Sequence, residues 1–79
     1  MPRVLLFGPA RDLAGGAART DLDGTTVGEV VAAGAARFGP AFADLCERSQ
    51  VWVNGDPAAA ADAVAPADEI AVLPPVSGG

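Results

Sequence analysis

The sequence predicts an α+β domain: a mixed α/β sheet covered on one face by a helix. Three observations carry that prediction. Short aliphatic-rich runs at residues 3–8 and 69–73 read as strands near either end of the chain. Between them Val27, Val30, Val31, Gly34, Ala35 and Phe38 recur at helical spacing and form one apolar stripe to lay on a sheet. A chain of 79 residues has room for one core only, and burying roughly 60% of its unfolded surface leaves it stable by a small margin.

The elements follow in order. Residues 3–8 form the first strand. Pro9 to Ala14 suit a helical turn, stopped by Gly15 and Gly16. Residues 18–22 alternate small, charged and apolar side chains as a second strand, ending at an Asp23-Gly24 turn. Thr26-Val27-Gly28-Glu29 fits a capping box, in which both side chains satisfy free backbone N–H groups at the start of the main helix. Gly39-Pro40 breaks that helix, and Phe42, Leu45 and Cys46 give a second, shorter stripe with Pro40 in its first turn. Residues 50–53 form a strand closed by the reversal signal Asn54-Gly55. The alanine-rich residues 58–67 have little to bury and read as loop, residues 65–68 as a turn, and residues 69–73 as the last strand.

Composition narrows the function. Ten acids against five arginines give a net charge of −5, which argues against nucleic acid and for a basic docking surface on a protein partner. Lysine, histidine and tyrosine are absent, so no side-chain amine is available for isopeptide chains built on this protein. One cysteine excludes an internal disulfide, a multi-cysteine metal site and a ligated iron–sulfur cluster. The apolar run Val4-Leu5-Leu6-Phe7 is too short for a signal-peptide core or a membrane span. A cytoplasmic protein without membrane contact is expected.

The usual catalytic groups are missing. Without histidine or lysine there is no common base to activate a nucleophile. Cys46, four residues after Phe42 on the apolar side of its helix, reads as a packed thiol. Asp68 and Glu69 are adjacent and would point to opposite faces of a strand, as turn and edge charges that keep the last strand soluble or as contacts to a basic partner. Asp12 reads as solvated and Asp56 as part of a turn. Gly15-Gly16 lacks the spacing and lysine of a phosphate loop. The chain reads as a substrate or cargo carrier, with no metal or cofactor of its own.

The ending Pro74-Pro75-Val76-Ser77-Gly78-Gly79 is the informative motif. Two glycines leave no Cβ near the terminal carboxylate, so the tail can thread a narrow channel. Pro74 and Pro75 bias its root toward an extended path, and six residues reach roughly 20 Å when extended. Residues 1–73 then form the domain and residues 74–79 a presented tail. Alternation puts Val4 and Leu6 on one face of the first strand and Leu5 and Phe7 on the other; Ile70 and Val72 are likewise split from Ala71 and Leu73. One helix layer covers one face, which leaves Phe7, Leu73 and Trp52 as an apolar patch beside the tail root, the mark of a protein-binding surface.

These residues resemble a known family. Arg3-Val4-Leu5-Leu6-Phe7-Gly8 and Arg11-Asp12-Leu13-Ala14-Gly15 are similar to the opening of the small subunit of molybdopterin synthase. Val53-Asn54-Gly55, Asp68-Glu69-Ile70-Ala71-Val72-Leu73 and the tail are similar to its close. The resemblance, to the MoaD/ThiS sulfur-carrier family, runs the whole length and implies a ubiquitin-like β-grasp fold of four to five strands on one main helix. It implies that a partner activating enzyme uses ATP to adenylate Gly79 and that a sulfur donor converts it to a thiocarboxylate. The tail would then enter the large subunit of molybdopterin synthase, in a heterotetramer, and pass sulfur to a pterin. Phe7 and Leu73 would dock, Arg11 could contact the partner, and Gly78 would keep the channel narrow. Ala67, where the family turn usually has glycine, and Leu73, where an aromatic can occur, depart from the pattern. Similar carriers serve cysteine, thiamine or specialised metabolites. A ubiquitin-like modifier joined through Gly79 and an interaction module with an inert tail also fit the residues.

Overall fold

The computed structural model describes residues 1–75. Along the chain run β1 (Arg3–Leu6), α1 (Pro9–Leu13), β2 (Arg19–Asp21), α2 (Val27–Phe38), α3 (Pro40–Arg48), β3 (Gln50–Val53), β4 (Asp56–Pro57) and β5 (Glu69–Leu73). The five strands form one sheet in the order β2-β1-β5-β3-β4. β1 and β5 are parallel, and the other pairs are antiparallel. This is the mixed sheet with helical cover expected from the sequence, in the β-grasp arrangement that the resemblance implied.

Hydrophobic alternation decides which way the sheet faces. Val4 and Leu6 of β1 and Ile70 and Val72 of β5 turn inward and are buried against Val27 and Val30 of α2 and Phe42, Leu45 and Cys46 of α3. Burying a side chain the size of Phe42 contributes about 1.5–3 kcal/mol. α3 shares the core fully with α2, so the cover is two helices rather than one main helix. They approach closely because Gly34 has no Cβ to meet the Phe42 ring, and Phe38 and Phe42 stack tilted at 5.5 Å.

Several local expectations need correction. β1 stops at Leu6 because Gly8 turns the chain with φ 53 and ψ −125, a conformation open to glycine, and leads into Pro9 at the first turn of α1. β2 is shorter than residues 18–22, and Leu22 is buried just beyond its end. The cap of α2 is half the expected box. Thr26 Oγ1 accepts from the Glu29 N–H at 3.1 Å, but Glu29 Oε1 accepts from the N–H and hydroxyl of Thr25, each at 2.8 Å, not from the N–H of Thr26.

The alanine-rich loop does more than expected. Its Ala60 and Asp62 carbonyls accept from the N–H groups of Gly28 (2.8 Å) and Val27 (3.0 Å), which no intrahelical partner can satisfy. Ala63 bridges Thr26, and Val64 enters the core. Asn54-Gly55 makes its reversal with positive φ at both residues, 51 and 85, the type I′ pattern. The reversal creates the unforeseen β4, two residues long. Finally, β5 is not an edge. Lying between β1 and β3, it needs no edge charges; the turn role expected of Asp68 holds, its carboxylate accepting from Ala65 N–H at 2.8 Å.

Candidate functional site

The sheet face away from the helices holds the candidate site. Because paired residues share a face, the register aligns Arg19, Leu5, Ala71, Trp52 and Pro57 in one row across all five strands. Leu5, Ala71 and Trp52 are each half-buried, forming a shallow apolar stripe between an arginine and a proline. Trp52 Nε1 donates to Gln50 Oε1 at 3.2 Å, which fixes the indole on this face. One row toward the start of β1 the face becomes charged, with Arg3 opposite both Asp21 and Glu69. One row the other way lies the tail root.

Here the structure brings Phe7 and Leu73 together. Leu6 pairs with Val72 in parallel register, so Phe7 follows at the level of Leu73. Phe7 is 44% exposed, one of two large hydrophobic residues so placed among the described residues. Pro74 sits against the turn after β1: a Cβ on Gly8 would lie 3.5 Å from the Pro74 ring. Leu73 pairs with Gln50 on its other side. A hollow of about 350 Å³ lined by Arg48, Gln50, Leu73, Pro74 and Pro75 opens beside the root. β5 therefore delivers the chain to Pro74 from mid-sheet, flanked by an aromatic on one side and an arginine on the other.

Arg11 lies on α1, exposed, with Nε donating to the Gly16 carbonyl at 3.1 Å, so one edge of its guanidinium closes the loop after α1. Cys46 is 6% exposed, and burial raises its thiol pKa to about 11. It is a neutral packed group and no nucleophile. Among the described residues no group of three His, Cys, Asp or Glu side chains could hold a metal ion. No helix there is long and apolar enough to cross a membrane. Val76, Ser77, Gly78 and Gly79 lie outside the described residues.

Sequence reasoning did not find Arg48 or Gly8 at the tail root. Neither carries a local signal; they arrive there through the pairing of β3 with β5 and of β1 with β5. The Leu5-Ala71-Trp52 row was half legible, since alternation placed each residue on a face but could not set the strands in register.

Known proteins share this architecture. The ThiS family model matches residues 4–79. No curated protein matches the sequence significantly. Among solved structures, a chain of the BexX/CysO complex from Amycolatopsis orientalis superposes with a TM-score of 0.86 at 24% identity, covering 100% of both chains. CysO from Mycobacterium tuberculosis gives 0.86 at 20% identity over 96% of this chain and 100% of that one. SAMP1 from Haloferax volcanii gives 0.77 at 32% identity, over 98% and 97%.

Proposed function

The chain belongs to the ThiS family of ubiquitin-like sulfur carriers, and from that premise we propose that it works through a thiocarboxylate formed on Gly79. The observation that carries the reading is the exit of β5: a central strand runs into Pro74 and Pro75 beside exposed Phe7 and half-buried Leu73. The domain holds the root, and the chemistry belongs to the last residue.

A carboxylate resists attack because its charge is delocalised. A partner activating enzyme joins the Gly79 carboxylate to the AMP moiety of ATP and releases pyrophosphate. A sulfur donor then displaces AMP, leaving C(=O)–S⁻. The domain's part is positional. Its open face docks on the partner through Phe7 and Leu73, Arg11 lies beside the contact, and Val76, Ser77 and Gly78 span the channel. Gly78 excludes tails with a side chain at that position.

For the acceptor, the Pro74–Gly79 block supports a pterin bound by the large subunit of molybdopterin synthase, in a heterotetramer. A second reading, conjugation to lysines of other proteins through Gly79, is favoured by the 32% identity with SAMP1, a small archaeal modifier protein. Carriers for cysteine, thiamine or specialised metabolites would use the same activated tail.

The test is the intact mass after incubation with ATP, an activating enzyme and a sulfur donor. Replacement of one oxygen by sulfur, lost when Gly79 is removed, is the expected result. No mass change with several activating enzymes sinks the carrier reading. Incubating the loaded protein with the large subunit and pterin precursor, or with cell lysate, then separates sulfur transfer from isopeptide conjugation.

A further inference from the structure

Asn54 is the chain's one asparagine, and glycine follows it. It is also the one non-glycine residue with positive φ among the described residues, φ 51. Its side chain is pinned at both ends. Oδ1 accepts from the Glu69 N–H at 2.9 Å, and Nδ2 donates to Asp68 Oδ1 at 3.0 Å. Its own backbone N–H donates to the Glu69 carbonyl at 2.8 Å. The other Asp68 oxygen accepts from Ala65 N–H at 2.8 Å, and the Asp68 carbonyl accepts from Arg3 N–H at 3.1 Å. One carboxamide thus ties the end of β3, the turn at residues 65–68, the start of β5 and, through Asp68, the start of β1.

We propose that Asn54-Gly55 is a site of spontaneous deamidation gated by this clamp, and that the reaction, once complete, prevents the clamp from closing again. The chemistry needs only water. The Gly55 backbone nitrogen, unhindered because its residue has no side chain, attacks Asn54 Cγ. A new N–Cγ bond forms, the Cγ–Nδ2 bond breaks, and the proton lost by Gly55 N leaves with ammonia. Water opens the cyclic imide to aspartate or isoaspartate.

The structure supplies both gate and latch. Attack requires Cγ to turn toward Gly55 N and become tetrahedral, which a planar amide held by Glu69 and Asp68 resists. The reaction therefore runs from conformations in which both side-chain bonds are open. Its product cannot restore both: an oxygen at residue 54 can accept from Glu69 N–H only with its carboxylate held against that of Asp68. A carboxylate at residue 54 has no donor for Asp68, and the two negative charges would meet at hydrogen-bond distance. An isoaspartate also lengthens the main chain inside a two-residue reversal whose geometry sets the register of β3 with β4.

The proposal stands apart from the carrier reading and is tested on the whole unloaded protein. Wild type, D68A and D68N are incubated in mildly alkaline buffer, beside wild type in denaturant, and conversion at residue 54 is followed by peptide mass mapping. Folded wild type is expected to convert severalfold more slowly than the denatured chain. D68A, with no acceptor for Nδ2, converts severalfold faster than wild type, and D68N, whose single side-chain oxygen must serve both Ala65 N–H and Asn54 Nδ2, falls between the two. Converted wild type loses hydrogen-exchange protection at the Glu69 amide. Equal rates for folded and denatured chain, a D68A rate no higher than wild type, or retained protection at Glu69 overturns the proposal. The first and last readouts need only the wild-type chain, so a poorly folding D68A leaves the test intact.

Discussion

Gly34→Ala sets two effects of opposite sign against each other. Gly34 lies inside α2, and exchanging an interior helical glycine for alanine is worth about 1 kcal/mol in favour of the helix. Against this stands the Phe42 ring. A Cβ on Gly34 would lie 2.7 Å from Cδ2 and 3.0 Å from Cζ, with Cε2 in contact as well. The ring cannot swing away, since Phe42 is 1% exposed and packs on Phe38. Forcing a methyl into such a site costs about 1–3 kcal/mol and occasionally more. Because the clash involves three ring atoms, the upper part of that range applies, and the net expectation is a loss of ~1–2 kcal/mol. For a domain of this size that lowers Tm by about 5–15 °C, readable by circular dichroism. The double variant supplies the control. Phe42→Ala alone costs about 3–5 kcal/mol, but with Gly34→Ala it should cost less than the sum, because the new methyl enters the vacated space. A Gly34→Ala protein more stable than wild type, or strict additivity in the cycle, refutes the interhelical packing described.

Three further predictions concern other parts of the molecule. Phe7→Asp should leave the melting curve unchanged, because the ring is 44% exposed, and, on the proposal that the large synthase subunit is the partner and Phe7 an anchor, weaken that binding by at least ~2 kcal/mol; calorimetry showing unchanged affinity moves the docking surface elsewhere. Cys46 should resist thiol reagents at pH 8 until the protein unfolds. Burial pushes its folded pKa up to about 11, above that of an exposed thiol, so the unfolded state releases its proton first, and this contribution to stability is present below the exposed-thiol pKa and lost as pH rises toward 11; denaturant titrations of wild type and Cys46→Ala across that window should diverge. Thr26→Ala removes the acceptor for the Glu29 N–H and should cost ~1 kcal/mol, whereas an unchanged urea midpoint would mean that the Ala60 and Asp62 carbonyls suffice to hold the helix start.

The legible parts of the fold were those written in local pattern. The stripes of α2 and α3, the Asn54-Gly55 reversal and the bounds of β3 and β5 depend on neighbours a few residues apart. What escaped depends on distant ones. Pairing with β1 makes β5 a central strand, and nothing near Glu69 announces it. The capping partner of Glu29 is Thr25, and the N–H groups of Val27 and Gly28 are taken by carbonyls of residues 62 and 60, far along the chain. For the site, alternation identified the open face and its Phe7 and Leu73. Arg48 reached the tail root only through the register of Gln50 with Leu73.

The place of β5 also bears on how the domain answers a pull. Four register positions tie it to β1, from Arg3 with Glu69 to Leu6 with Val72, and four tie it to β3. A machine gripping the chain beyond Pro75 draws β5 along its own axis. The hydrogen bonds, lying across that direction, are then loaded together in shear instead of peeling one by one. With β1 parallel to β5, traction between the two ends of the chain meets the same resistance. The chain beyond Pro75 continues from a strand paired on both sides, so traction on it would load both ladders before either yields.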